Sequence, residues 1–409
     1  MLALLPPTGQ LAVDKNIVKL QEFVARQPEK ADGWLALGSA WIRKARDDAK
    51  PSLYANANAC TDIALRLQPE NRLASELKGL VLMNDHRFEE ARKLMQSLVE
   101  ASPDHPVAWG TLSDAQLELG RSKEAVESAQ RMMDLKPNLP SYSRAAHLQW
   151  LHGDLAGAKQ SLRYAVDAGQ DGKDKEPKAW VLVQAAMMFW NEGDYDGAMA
   201  GFDSALKDLP DFPPALVGKA RVLLGQGDAR QAAPLLATAY KANPLVETGW
   251  LLGDAREAAG DLAGAAQARA EIEKRGKLAD PRTLSLYYTA HDREPDLALQ
   301  LAQEEIKSRD DQYTEDALAW ALYRKGRLDD ALVATDKTAA LGTRDARLWF
   351  HQGAIHLAKG DAAKGRALTP PHSSSIRTST SRARPRRGAC SPAAAGRLPP
   401  RIEGGAGTH

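Results

Sequence analysis

The sequence predicts an all-α protein, a solenoid of about ten stacked helix-turn-helix units. Two observations predict it. Ala, Leu, Lys, Glu, Asp and Arg dominate the composition and runs of β-branched residues are scarce, which is typical of helices. A glycine followed by Asp or Arg also recurs along the chain, at Gly120, Gly153, Gly193, Gly227, Gly260, Gly326 and Gly360. The steps between these glycines are 33, 40, 34, 33, 66 and 34 residues, and a period of this length indicates stacked repeats.

Two of these steps depart from the period, and one unit is longer than the rest. The step of 66 is two periods, with Arg293 standing where the missing glycine would be. The step of 40 is one period plus a polar insertion at 170–177, and the first unit is longer by about seven residues around 45–56. Solvated surface insertions are commoner than functional loops, so we interpret both extra stretches as surface insertions.

The clearest unit spans about residues 179–210 and contains two apolar helices separated by Gly193 and Asp194. One face of its second helix carries, at i, i+4 and i+7, Ala198, Phe202 and Ala205. Each residue type has a physical role. Glycine can adopt positive φ at the turn, Asp can cap the second helix, small Ala lets helices approach closely, and proline ends the second helix.

Nine or ten units repeat parts of this pattern in phase. The marks are an early Trp, a Leu-Gly pair, a later Ala and a final Pro, as in Trp34, Leu37, Gly38, Ala91, Pro103, Trp109, Ala125, Pro137, Leu252 and Gly253. The pattern resembles the tetratricopeptide repeat (TPR) over about residues 31–365, and the chain looks like a bacterial TPR protein of unassigned role. The resemblance implies a right-handed superhelical solenoid of about ten TPR repeats, after a lead-in and first helix over residues 1–30.

The last 44 residues, 366–409, differ from the rest in composition. They carry eight Arg, one Glu and neither Lys nor Asp, among Ala, Pro, Ser, Gly and Thr, so we expect a disordered tail. A GC-rich gene read out of frame gives such a composition, which is the hypothesis we favour; a nucleic-acid-binding or membrane-surface arm is the alternative. The pattern stops within the tenth unit, after Gly360 and Asp361. We therefore expect no second helix there, fraying of this unit, and self-association through its uncovered face.

Charge argues for a protein partner. The whole chain has a net charge of +1, but by subtraction of the tail, residues 1–365 carry about −6. A mildly acidic helical body lacks the basic surface that nucleic acid requires. The expected partner is another protein or a peptide segment.

No catalytic or metal-binding motif rises above background. His-Glu-x-x-His, a phosphate-binding glycine loop and Gly-x-Ser-x-Gly are absent, so we expect neither enzymatic activity nor a cofactor. The two cysteines, Cys60 and Cys390, form no disulfide or zinc pattern. No run of 18 apolar residues could span a membrane. The sequence therefore predicts a cytoplasmic protein, or a periplasmic or secreted one if a signal precedes this start.

The TPR resemblance also implies a binding groove, because the first helix of each unit lines the concave face of a TPR superhelix. The side chains expected there are Ser143, His147, Trp150, Met187, Trp190, Asn191, Trp250, Asp254, Glu257, Tyr287, Trp320, Tyr323 and Arg324, with Phe350 extending the row. Aromatic side chains anchor partners well because they offer a large contact area at low entropy cost. Expected in the packing core instead are Trp34, Trp41, Trp109 and Phe202.

These observations favour a non-enzymatic scaffold that binds a peptide or helix in the concave groove. One alternative is an accessory or truncated part of a multi-domain enzyme. Another is an assembly factor of the cell envelope or of a secretion system. Solenoids of this kind occur beside sugar transferases, kinases and envelope assembly machines.

Overall fold

The computed structural model describes residues 1–47, 50–170, 172 and 174–368, and all regular structure in that part of the chain is helical. The all-α prediction is confirmed. In chain order the α-helices are α1 (Ala12–Arg26), α2 (Ala31–Asp47), α3 (Tyr54–Leu67), α4 (Arg72–Asn84), α5 (Phe88–Ala101), α6 (Pro106–Glu118), α7 (Ser122–Leu135), α8 (Leu139–Leu151), α9 (Leu155–Ala168), α10 (Glu176–Asn191), α11 (Tyr195–Asp208), α12 (Pro213–Gly225), α13 (Ala229–Ala242), α14 (Val246–Ala258), α15 (Leu262–Ala279), α16 (Pro281–Ala290), α17 (Pro295–Glu305), α18 (Gln312–Arg324), α19 (Leu328–Ala339), α20 (Ala346–Ala358) and α21 (Ala362–Leu368).

Helices α2–α21 form ten consecutive pairs, which we number repeats 1 to 10. Repeat 1 is α2 with α3, and repeat 10 is α20 with α21. The two helices of each pair pack against each other, and within each of the two compact units described below each pair packs against the next. The chain divides into two compact units: Met1–Pro137 contains α1 and repeats 1–3, and the second unit, from Asn138 on, contains repeats 4–10. The predicted repeat count is confirmed.

In the turn between the two helices of a repeat, one residue has the left-handed backbone conformation, with positive φ. All seven recurring glycines adopt it, with φ between 72° and 93°. Repeats 2 and 8 lack this glycine, and there His86 (φ 56°) and Asp292 (φ 55°) take the same conformation. The expectation that Arg293 marks the missing position is wrong by one residue. The turn of repeat 8 holds a second left-handed residue, Glu294 (φ 44°). This turn therefore differs in length from the others, and a fixed spacing of 33 residues does not locate its first left-handed residue.

Two kinds of N-terminal cap follow these turns. Where Asp follows the turn residue, its carboxylate accepts a hydrogen bond of 2.8–3.1 Å from the backbone N–H three residues later, at Asp154, Asp194, Asp228, Asp261 and Asp361. Where Arg follows, it pairs instead with an acidic side chain three residues later, as in Arg87–Glu90, Arg121–Glu124 and Arg327–Asp330. Both arrangements place negative charge at the helix N-terminus, which the helix dipole favours.

The cores of the repeats contain the predicted small and aromatic residues. The stripe of Ala198, Phe202 and Ala205 has no exposed surface, and Trp34 and Trp41 are buried. Trp109 is half-buried. Its indole N–H donates to the carbonyl oxygen of Pro103 at 2.9 Å, in the same way that Trp34 donates to Pro28 at 2.8 Å. These tryptophans therefore pack against the segment that follows the preceding helix, α1 or α5.

The first residues of the chain fold back onto repeat 1 within the first unit. A short 3-10 turn at Leu2–Leu4 places its carbonyls against this repeat: Trp41 donates to the Ala3 carbonyl at 3.1 Å and Asn56 to the Leu2 carbonyl at 2.8 Å. Beside it, the Lys44 ammonium lies 2.5 Å from the Asp14 carboxylate, and both side chains are buried. The hydrogen bond from Lys44 holds the pKa of Asp14 below its ordinary value.

Repeat 10 does contain the start of a second helix, contrary to expectation. Helix α21 begins directly after the cap Asp361 and reaches Leu368. Gly365 lies close to Leu357 of α20, which is the close approach between paired helices that a small residue allows. The helix crosses the expected boundary at 366. The rest of the predicted disordered tail, from 369 on, lies outside the described residues.

Candidate functional site

Five of the predicted groove residues line a single cavity in the second unit. Its volume is about 180 Å³, and its walls are Ser143, His147, Trp150, Leu162, Gln184, Met187, Met188, Asn191, Tyr313 and Asp345. Most of the wall comes from the first helices of repeats 4 and 5. Tyr313 and Asp345 come from repeats 9 and 10 and were not predicted.

Local sequence explains how α8 and α10 present these side chains. A capping box between Asn138 and Ser141 fixes the start of α8. Ser143, His147 and Trp150 then follow at i, i+4 and i+7, on one face of the helix. The same spacing on α10 aligns Trp180, Gln184, Met187 and Asn191.

Trp180 is a residue that the sequence reasoning missed. Its side chain is 48% exposed, which is unusual for an indole on a helix that buries its neighbours Ala179 and Val181 completely. It lies two turns before Met187 on the same face of α10, outside the cavity wall itself. The spacing to Met187 is the signal that could have identified it.

The far wall of the cavity is held by a contact between distant repeats, which we call the clasp: Leu151 and Gly153 against Gly342 and Thr343. The Thr343 hydroxyl shares its proton between two acceptors, the carbonyl oxygen of Leu151 and the Oε1 of the buried Gln312 side chain. A Cβ placed on Gly153 would lie 2.6 Å from the carbonyl oxygen of Gly342. Repeat 4 and the loop before repeat 10 therefore meet with no room for a larger residue at 153.

Two further hydrogen bonds flank the clasp. The Trp150 indole donates to the Tyr313 hydroxyl at 3.5 Å, and the backbone N–H of Ala346 donates to the Asn191 side chain at 3.4 Å. Burial raises the pKa of the Tyr313 phenol, which keeps its proton. The concave surface that the repeat pattern predicts is thus closed between repeats 4–5 and 9–10.

A second group of predicted residues forms a bonded network on repeats 7 and 8. The Asp254 carboxylate accepts hydrogen bonds from Trp250 at 2.8 Å, from His291 at 2.9 Å and from Arg269 at 3.1 Å. Glu257 pairs with the same Arg269 at 2.6 Å. Burial alone would lower the pKa of His291, but the hydrogen bond and charge of Asp254 outweigh burial and raise it. These side chains orient one another.

Tyr287 is placed differently from the expectation. It has no exposed surface, so it cannot contact a partner. Its hydroxyl donates to Glu273 at 3.0 Å and accepts from Arg293 at 3.1 Å, and burial together with Glu273 raises the pKa of Tyr287 to about 12. The physical reason is that this face of α16 packs against α15 rather than facing the concave surface.

The remaining predicted aromatics stack on one another. The Trp320 ring lies 4.8 Å from Tyr323 and 4.0 Å from His351, nearly parallel to both, and Trp320 is only 7% exposed. Phe350 packs against the same group. The Trp190 ring stacks on Tyr195 at 5.1 Å, and Arg324 forms an ion pair with Asp292. These rings pack against one another and are buried or half-buried, so little of their surface is left for contact with a partner.

Charged side chains of neighbouring first helices were also missed. Arg221 and Glu247 form an ion pair of 2.6 Å, and Arg347 lies 3.6 Å from Asp316. The Arg221 guanidinium holds the pKa of Glu247 below its ordinary value. Glu247 precedes Trp250 by three residues and Arg347 precedes Phe350 by three. Extending the predicted row by one helical turn would have found both.

Neither a metal centre nor a membrane span is present in the described part of the chain. No three His, Cys, Asp or Glu side chains come together there in a group that could hold a metal ion. No described helix is both long and apolar enough to cross a membrane. Cys60 is fully buried, and burial raises the pKa of its thiol to about 12.

Comparison with known proteins agrees with the repeat architecture. Family models of the tetratricopeptide repeat match residues 43–106, 82–149 and 189–250. Over 184 residues, 43% of its length, the chain is 26% identical to cellulose synthase operon protein C of Pseudomonas fluorescens (strain SBW25). Over 106 residues, 26% of its length, it is 31% identical to tetratricopeptide repeat protein 33 of Xenopus laevis. The matched segments cover only 14% and 38% of these two proteins.

A solved structure extends the likeness over most of the chain. The human IFIT1 dimer with PPP-AAAA superimposes with a TM-score of 0.53, covering 80% of this chain and 77% of that one. The two sequences are 15% identical. The likeness is therefore one of fold: successive helix pairs stacked along the chain.

Proposed function

Because this chain is a tetratricopeptide repeat protein, and hence a scaffold for protein–protein interaction, we propose that its second unit binds a peptide segment or helix of a partner protein. The proposed binding surface is formed by the first helices of repeats 4 and 5. It runs from Trp180 along α10 to the cavity beside Trp150. The partner lies across this face and inserts one side chain into the cavity.

The combination of an exposed indole with an adjoining cavity supports this proposal. Exposed tryptophan is enriched among the residues that dominate binding energy, and such residues lie next to pockets that exclude water. Trp180 is 48% exposed, whereas Trp150 and Trp320 are only 7% exposed and already packed. Met187, between Trp180 and the cavity mouth, adds an adaptable apolar contact.

A photo-crosslinking experiment with the full chain tests the proposal. A benzophenone amino acid is placed at Trp180 in one variant and at Leu262 in another, and the cross-linked peptides are identified by mass spectrometry in the host cell. Leu262 is the matched control, because it is 67% exposed but lies at the start of α15, a second helix. We expect a defined partner peptide at position 180 only. Identical adducts at both positions, or none at 180, would overturn the proposal.

A second variant separates specific binding from mere proximity. Met187→Lys places a positive charge at the cavity wall, where Met187 is half-buried, and should reduce the cross-link at position 180 at least about tenfold. Circular dichroism checks that the variant keeps its helices. A cross-link that survives Met187→Lys unchanged argues against this surface.

The alternative of an assembly factor in a larger enzyme or envelope system has one observation in its favour. The match to cellulose synthase operon protein C includes 43% of this chain. In that case the partner trapped at position 180 is a subunit of an enzyme complex or secretion machine. The same experiment decides between the two, since it identifies the partner.

A further inference from the structure

We infer that the cavity between repeats 4–5 and the clasp binds an alkylammonium group, which in a protein partner is the side chain of a lysine. The inference rests on the proposed function, because it specifies which side chain of the partner enters the cavity. The chemistry of the walls, the size of the cavity and the position of Arg347 support it.

The cavity wall has an apolar part and a part that offers oxygen acceptors for hydrogen bonds. Trp150, Leu162, Met187 and Met188 supply the apolar part. Ser143, Tyr313 and Asp345 supply hydroxyl and carboxylate oxygens. A lysine side chain has the same division, since its four methylene groups are apolar and its ammonium head donates three hydrogen bonds.

Asp345 is the residue in the wall that favours a positively charged ligand. One of its carboxylate oxygens caps α20 by accepting from the backbone N–H groups of Arg347 at 2.9 Å and Leu348 at 3.3 Å. The carboxylate also belongs to the cavity wall. An ammonium ion there gains a charge-assisted hydrogen bond, which is about twice as strong as a neutral one.

Other occupants fit less well. An anion is repelled by Asp345. A wholly apolar side chain would remove water from Asp345, Ser143 and the Asn191 amide without replacing the lost hydrogen bonds, at a cost of about 1–3 kcal/mol for each group. A neutral aromatic group gains the apolar contacts but leaves the Asp345 carboxylate without a positive charge beside it.

The Arg347 side chain does not fill the cavity. The Arg347 guanidinium lies 5.8 Å from the centre of the Tyr313 ring and 3.6 Å from the Asp316 carboxylate, and it is not part of the cavity wall. Its charge acts on Asp345 as well as on Asp316. Because Asp345 lines the cavity and Arg347 does not, a ligand in the cavity can still reach the Asp345 carboxylate.

The volume suits one side chain of this length. A cavity of about 150 Å³ holds a molecule the size of benzene. At about 180 Å³, this cavity accommodates the four methylene groups and nitrogen of lysine. Because its walls come from both sides of the clasp, a bound ammonium also stabilises the closed arrangement by mass action.

The test uses the full chain labelled with ¹³C at its methionine methyl groups, and n-butylammonium chloride as the probe. The resonances of Met187 and Met188 are followed by NMR during titration, with n-butanol and sodium butyrate as uncharged and oppositely charged probes of the same length. We expect saturable shifts of these two resonances with butylammonium, and at least about tenfold weaker binding of the other two probes. Equal binding of butanol and butylammonium, or no saturable shift, overturns the inference.

Substitution of the carboxylate supplies the matched control. Asp345→Asn keeps the α20 cap, because Asn caps as well as Asp, but it removes the charge and should weaken butylammonium at least about tenfold. Asp361→Asn makes the same change at the α21 cap, outside the cavity, and should leave the affinity unchanged. Tyr313→Phe, which removes a second acceptor, serves if Asp345→Asn fails to fold. Unchanged affinity in the folded cavity variants would overturn the inference.

Failure of this inference and failure of the proposed function are distinguishable. If a partner peptide cross-links at position 180 but butylammonium does not bind, the partner uses another side chain and the proposed function stands. If butylammonium binds as expected but no partner peptide cross-links, the cavity takes a free alkylamine. In that case the proposed function falls.

Discussion

The hydroxyl of Thr343 donates a hydrogen bond to the carbonyl of Leu151, 192 residues earlier in the chain. Leu151 is the last residue of α8, where backbone carbonyls have no partner within the helix. The loop before repeat 10 thus satisfies the end of a helix in repeat 4. This single bond defines where the second unit closes on itself and where the candidate site lies.

Removal of this bond should destabilise the closed arrangement. Thr343→Val preserves shape but leaves the Leu151 carbonyl and the buried Gln312 side chain short of a partner, which costs about 1–3 kcal/mol of unfolding free energy. Thr335→Val is the matched control, because Thr335 is equally buried but its hydroxyl has no partner. That change should be neutral or stabilising. Urea unfolding measures both, and equal losses would contradict the importance of the clasp.

The close approach of Gly153 to Gly342 gives a second test. Gly153→Ala and Gly193→Ala both place a side chain at a left-handed residue, with φ of 76° and 79°, which costs about 1 kcal/mol in each case. A Cβ at 193 meets nothing within 4 Å, whereas one at 153 meets the Gly342 carbonyl at 2.6 Å. Gly153→Ala should therefore cost about 1 kcal/mol more and speed hydrogen exchange around residues 342–346. Equal losses of unfolding free energy for the two substitutions would show that the clasp can move apart at no measurable cost.

The Asp caps should each stabilise one repeat locally. Asp194→Ala removes the acceptor for the Gly197 N–H, 2.9 Å away, and should cost about 1 kcal/mol, or roughly a fivefold rise in hydrogen exchange in the first turn of α11. Asp196→Ala is the control: it removes an exposed acid in the same turn that accepts no such bond. That change should cost only a few tenths of a kcal/mol, through the helix dipole. A larger effect at 196 than at 194 would contradict the capping role.

Stability of repeats 7 and 8 should depend on pH through His291. Since Asp254 raises the folded pKa of His291, the stabilising contribution is complete below the unfolded pKa and is lost as pH rises through the folded pKa. His291→Gln should therefore cost about 1–2 kcal/mol at pH near 5.5 and much less at pH near 9. Urea unfolding at the two pH values measures the difference. In an Asp254→Asn background, the pH dependence should disappear; its persistence would assign it to another group.

Local features of the fold could be predicted from the sequence because they repeat. Each turn needs a left-handed residue, each second helix needs a cap, and each stripe needs small residues, so the same residue types return at a fixed spacing. The first helices of repeats 4 and 5 were identified in this way, and with them Ser143, His147 and Met187. In repeat 8, which lacks its glycine, the count misplaced the turn by one residue, at Arg293 instead of Asp292.

The tertiary structure alone decided which of these side chains face a site. Tyr287 has the spacing of a groove residue, but the neighbouring helix covers it completely. Tyr313 and Asp345 have no local pattern that connects them to Trp150, because they lie five and six repeats further along the chain, and the contact depends on the small rotations between repeats that accumulate over that distance. Spacing within a helix determines which residues share a face, whereas the summed curvature of the second unit determines that this face meets Thr343 and closes into a cavity.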